Sequence, residues 1–178
     1  AALVQALAAA PQHRTALHEA AQVTVVGVEV GGPAFGTSPG RGRVMATLRT
    51  HHDPVMERLA EHCEHLCRTI AAAHDLRCSL DWTEVFPAVR NHDRTVDRIA
   101  AQADALGLKT VWPDVPFPWS EDFGHFTAAF PGALFGLGAG EAQPVLHHPD
   151  YDFPDALIPT GVAMLARALQ DLQEAGHE

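Results

Sequence analysis

Two β-branched segments, QVTVVGVEV (22–30) and RVMATLRT (43–50), lie between two helix-forming runs, and that order constrains the chain more than any other feature. Valine and threonine have few χ1 rotamers and pack well on a pleated surface, so both segments predict strands, the second alternating Val44, Ala46 and Leu48. The loop between them, GGPAFGTSPGRG, is too long for a tight hairpin turn. Upstream, AALVQALAAA predicts a helix with Leu3 and Leu7 one turn apart, stopped by Pro11. Downstream, Met56, Leu59, Cys63, Leu66, Cys67 and Ile70 share one stripe of a helix over 54–74, with Asp53 as N-cap and Pro54 at its first position. RCSLDWTEVF (77–86) then alternates Cys78, Leu80 and Trp82 as a further strand.

Helix, strand, strand, helix, strand is the order of a βαββαβ ferredoxin-like unit without its first strand. That strand would run through the sheet interior, so its absence leaves backbone groups of the last strand unpaired. The expectation is that further residues precede Ala1 in the natural protein.

The pattern changes after Pro87. Asp93 is placed to cap a helix carrying Val96, Ile99, Ala100, Ala103 and Leu106, which Gly107 ends. A proline-rich loop, WPDVPFPW, leads to SEDFGHFTAAF, a short helix with Ser120 as N-cap and with Glu121 and Asp122 on the favourable end of its dipole. ALFGLGAG reads as a buried strand ending in glycines, and Ile158, Val162, Leu165, Leu169 and Leu172 predict the core stripe of a closing helix. Alternating helices and strands without hairpins predict a parallel α/β layer for 87–178, and residues 1–86 a separate α+β domain.

Charge narrows the function. With 12 Lys and Arg against 22 Asp and Glu, a net charge of −10 and no basic cluster, the chain lacks the electrostatic footprint of a nucleic-acid binder. It has no uninterrupted run of about 18 apolar residues, so no membrane-spanning helix is expected. Three cysteines at no disulfide-framework spacing point to a reducing, cytoplasmic compartment.

Four motifs carry candidate chemistry. Gly136, Gly138 and Gly140 match half of a dinucleotide fingerprint, but Pro144 stands where the phosphate-binding helix should begin. His62-Cys63-Glu64-His65-Leu66-Cys67 resembles a metal box. At about 100° per residue, however, the cysteines point along the apolar stripe and the histidines elsewhere. Buried cysteines and solvated histidines are therefore expected, with oxidation or adventitious zinc left open for the thiols. Ser120 lacks the G-x-S-x-G elbow of a nucleophile. His147 and His148 differ, because they follow a strand-end glycine loop and precede a helix, the edge of an α/β sheet where ligands bind. The residues alone leave a ligand role and a structural role both open there.

Two longer stretches resemble the M20 metallopeptidases, in particular the amidohydrolase branch that cleaves N-acyl amino acids and related amides. WSEDFGHFTAAFPGALFGLGAG is similar to that family's SEDF helix and PGA-F-x-LGAG strand, and VLHHPDYDFPDALIPTGVAMLARAL to its LH-x-P-x-x-DF…ALP-x-G closing segment. VGVEVGGPAFGTSPGRGRVMATLRT resembles the GG-x-AFN-x-IPD stretch of the lid, or dimerisation, domain, and FPAVRNHD the crossing back into the catalytic domain.

The resemblance implies that residues 1–86 are a lid lacking its first strand and 87–178 the C-terminal part of an α/β catalytic domain. It aligns His147 with the last metal ligand, leaves His148 at a variable position, and places Glu121, Gly31, Gly32 and the Gly136–Gly138 loop along the substrate cleft. It further implies a binuclear divalent metal site, zinc or manganese, a small amide substrate and a homodimer formed through the lid. The family's other ligands and its general-base glutamate lie N-terminal to the lid and have no counterpart here. Gly36 stands where the family has a lid asparagine, and Ser38-Pro39 where it has Ile-Pro. These departures motivate a second expectation, a non-catalytic dimerisation module derived from such an enzyme.

Overall fold

Both β-branched segments become strands in the computed structural model, which describes residues 1–16 and 18–175. Strand β1 (Ala21–Val30) pairs antiparallel with β2 (Gly42–Thr50), and the two form the sheet seen among the described residues. The register sets Val23 against Leu48 and Val25 against Ala46, then Gly27 against Met45. Val26 is therefore a bulge. Because strand side chains alternate faces, the extra residue switches parity and places Val28 opposite Val44. At Gly27 a Cβ would lie 2.5 Å from the Met45 Cε, so the methionine occupies the space a side chain would need.

The chain divides into two compact units, residues 1–88 with 118–120, and residues 89–117 with 121–178. In the first, helices α1 (Ala2–Arg14) and α2 (Asp53–Ala73) pack on one face of the hairpin. Leu7, Ala10, Leu59, Cys63 and Cys67 are buried there, covered by Val23, Val25, Val44, Ala46 and Leu48 of the sheet. Leu59 is fully enclosed.

Pro11 does not stop α1, which continues to Arg14. Proline forfeits one hydrogen bond inside a helix, but the burial of Leu7 and Ala10 holds this helix, and the Thr15 amide and hydroxyl both donate to the Pro11 carbonyl to end it. Asp53 is not the cap of α2. His52 is, and the Asp53 carboxylate instead accepts the Ala88 amide at 2.7 Å.

Residues 77–86 form no strand. The segment joins neither outer edge of the β1–β2 hairpin and turns side chains to α2 instead: Leu80 packs on the buried cluster and the Trp82 indole donates to Glu64 at 2.8 Å.

In the second unit, helix α3 (Asp93–Ala105) has His92 rather than Asp93 as N-cap. It ends as expected at Gly107, whose φ of +70° lets the amides of Gly107 and Leu108 bond back to Asp104 and Ala103. The short helix α4 (Gly124–Ala129) begins after Phe123, so Ser120 does not cap it. Helix α5 (Leu157–Ala175) packs against α3, and Arg98 is bound to the carboxylate and the carbonyl of Asp171.

Two expectations fail in this unit. The ALFGLGAG segment forms no strand, and no parallel layer exists among the described residues. Asn91 takes the place of a neighbouring strand, since its amide donates to the Leu134 carbonyl and accepts the Leu134 amide, both at 2.9 Å. The supposed core stripe of α5 is the second failure: Ile158, Val162, Leu165, Leu169 and Leu172 are each more than half exposed, while Met164 is buried. Apolar spacing does not say which face is covered: the less exposed face runs through Gly161, Met164, Ala168 and Asp171, with Gly161 beside Leu137 and Asp171 bound to Arg98 of α3.

Candidate functional site

The Gly140–Leu157 segment is built from short-range hydrogen bonds. The Gln143 amide donates to Gly140, itself at φ +101°, and the Gln143 side chain to the Asp152 carbonyl. The His148 amide donates to Val145 at 3.0 Å and the Tyr151 amide to His148 at 2.9 Å, so two turns follow one another. His147 is the third residue of the first turn and has φ +69°. A positive φ at that position is the type II pattern, which favours glycine or asparagine, and an L-residue there costs about 1–2 kcal/mol.

His148 is the anchored histidine of the pair. Its Nδ1 accepts the Asp150 amide at 3.1 Å and lies 3.7 Å from the Asp150 carboxylate. His147 is exposed and projects from a backbone fixed on both sides. Its left-handed conformation is hard to foresee from sequence, because positive φ is uncommon for any residue but glycine, even though histidine adopts it more often than most.

The other expected site residues are placed as follows. Glu121 is exposed, just ahead of the turn that opens α4, and Gly138 is exposed with open space where a Cβ would stand. Both belong to the unit that holds His147. Gly136 is held close, since a Cβ there would meet the Phe117 ring at 3.2 Å. Gly31 and Gly32 belong to the other unit, where they open the β1–β2 loop. Gly31 has φ +60° and faces Pro39, and Gly32 has open space around it. Asn91, in the FPAVRNHD segment, is the structural residue that sequence reasoning does not single out: its role depends on two hydrogen bonds to Leu134, 43 residues away.

Among the described residues no three His, Cys, Asp or Glu side chains converge where a metal ion could sit. The donors present therefore do not by themselves fit a resident metal, and His147 contributes one imidazole at most. The His62–Cys67 run behaves as its geometry required for the thiols: Cys63 and Cys67 are buried, and burial pushes the Cys63 thiol up to about 11. For the histidines the expectation holds only for His65, which is exposed; His62 is half-buried. Glu64 is held below the usual carboxylate range by the Trp82 indole and then by Arg68.

A small open cleft lined by Leu106, Leu108, Pro159, Thr160 and Ala163 has no titratable group and offers no chemistry of its own.

A sequence profile described as peptidase family M20/M25/M40 matches residues 2–171. The chain is 26% identical over 126 residues to an N-acetyldiaminopimelate deacetylase of Exiguobacterium sibiricum, covering 71% of this chain and 34% of that protein. It is 26% identical over 147 residues to a hippurate hydrolase of Campylobacter jejuni, covering 82% of this chain and 38% of that protein. The chain thus spans little more than a third of the length of these curated relatives. Its fold is similar to a crystal structure assigned to an aminohydrolase from methicillin-resistant Staphylococcus aureus, with a TM-score of 0.72 and 20% identity, over 95% of this chain and 44% of that one.

Proposed function

The chain belongs to peptidase family M20/M25/M40, and from that premise we propose that it serves as the lid and C-terminal catalytic segment of a metal-dependent amidohydrolase. The substrate class is N-acyl amino acids or related small amides. The names of the deacetylase and hippurate hydrolase relatives support an amide-cleaving reading. The site would take two divalent ions, zinc or manganese, in a cytoplasmic enzyme that dimerises through residues 1–86.

The single observation that carries this reading is His147. An exposed histidine held at φ +69° in a hydrogen-bonded turn pays a conformational penalty that glycine would avoid. Such outliers are retained where a side chain is needed at one place, and His147 is the residue that the LH-x-P resemblance aligns with a metal ligand. Imidazole suits zinc and manganese. The remaining ligands must come from residues other than those described here, so no catalytic step is assigned to this chain alone. Glu121 and the Gly136-Gly138 loop, in the same unit as His147, would border the cleft.

In a full-length polypeptide that carries this segment, His147→Ala is expected to remove most amide hydrolysis and weaken one metal site. Unchanged turnover together with unchanged metal content would refute the assignment. That no three donors converge among the described residues motivates one further reading for the chain by itself, a non-catalytic dimerisation module. Measurable amide hydrolysis by the isolated chain, lost in His147→Ala, would exclude it.

A further inference from the structure

We infer that Cys67 and Cys78 are a redox pair, closing a disulfide when the protein meets a peroxide and holding the 77–86 segment against α2.

The geometry is that of a segment folded back along a helix. After α2 ends at Ala73, the chain returns, and residues two apart face the helix: Leu80 packs on the cluster that contains Cys63 and Cys67, and Trp82 donates to Glu64 at 2.8 Å. Cys78 lies between Leu80 and Leu76, whose amide donates to the Ala71 carbonyl at 2.9 Å, so the returning chain carries it past the last turns of α2, where Cys67 lies. The Cys78 charge is felt at Cys67, where it follows burial as a cause holding that thiol above its ordinary range. Cys78 is exposed and Cys67 buried, so an oxidant reaches Cys78 first.

Cys63 is excluded as the partner of Cys67. Residues four apart on a helix have Cβ atoms about 5–6 Å apart, beyond the roughly 3.5–4.5 Å a disulfide spans. The segment that carries Cys78 belongs to no sheet ladder and is free of that restraint on closing the bond.

The chemistry balances with hydrogen peroxide as oxidant. The Cys78 sulfur attacks one oxygen of hydrogen peroxide and the O–O bond breaks, giving sulfenic acid, while the proton the thiol gave up joins the departing hydroxide as water. The Cys67 sulfur then attacks that sulfenic sulfur, the S–O bond breaks, and the Cys67 thiol proton leaves with the hydroxyl as a second water, forming the S–S bond. The two thiols are oxidised and the peroxide is reduced.

The test treats the folded chain with hydrogen peroxide, alkylates residual thiols and maps peptides without reductant after cleavage by trypsin and Glu-C. Cleavage after Glu64 separates Cys63 from Cys67. The expected product links the peptide of Cys67 to that of Cys78, with Cys63 still a thiol. Cys63→Ser should keep the cross-link and Cys67→Ser should lose it. Cys78 found as sulfinic acid or in an intermolecular disulfide, with Cys67 unmodified, would overturn the pairing. The wild-type map decides this even where a variant fails to fold.

Discussion

The His148 amide donates to the Val145 carbonyl at 3.0 Å, closing a turn in which His147 must hold φ +69°. The turn needs a left-handed residue, and the proposed function needs an imidazole. Glycine satisfies the first demand and alanine neither. His147→Gly is therefore expected to unfold later than His147→Ala, by about 1 kcal/mol in urea titrations. Both variants should lose the metal equally in a full-length polypeptide. Equal stability of the two would mean that the turn relaxes and His147 is not strained.

Asn91 and Leu134 exchange two hydrogen bonds, each 2.9 Å. Asn91→Ala removes both and should cost about 1–2 kcal/mol. Asn91→Asp keeps the acceptor but sets a carboxylate against the Leu134 carbonyl, and should cost at least as much. Amide exchange at Leu134 is the local readout, rising in both variants and unchanged if the pair contributes nothing.

Leu59 is fully enclosed between α1, α2 and the hairpin. Leu59→Ala should destabilise its unit by about 2–5 kcal/mol. Val26 sits in the bulge, 64% exposed, and Val26→Ala should change stability by no more than about 0.5 kcal/mol. Similar losses in chemical denaturation would place the core elsewhere.

Burial raises the Cys63 thiol from 9.0 to about 11, with the Cys67 thiol beside it adding to the rise. A raised folded-state value means the folded chain holds that proton more tightly. The associated stability is complete below pH 9.0 and is lost as pH climbs toward 11. Denaturation midpoints should fall across that window, and Cys63→Ala should flatten the fall. A midpoint that declines equally in both proteins would assign the alkaline loss to other groups.

The sequence was most legible where one local property decides the outcome. Restricted rotamers placed β1 and β2, helical spacing put Leu59, Cys63 and Cys67 on one buried face, and Gly107 ended α3. It was least legible where structure depends on a neighbour. Residues 77–86 and 133–140 have strand composition, but a strand exists only with a partner, and their partners are α2 side chains and the amide of Asn91. Apolar spacing likewise misled on α5, because it identifies an apolar face without saying what covers it. Of the candidate site, the LH-x-P resemblance singles out His147 as a residue to test, while its positive φ is set by turn hydrogen bonds that residue types do not encode.

Native mass spectrometry of the protein purified from its natural source without chelator tests the central claim most directly. The account predicts a subunit more than twice the 19.1 kDa of this chain, carrying two metal ions. A metal-free subunit of 19.1 kDa would contradict it, leaving His147 as the relic of a site that this protein does not use.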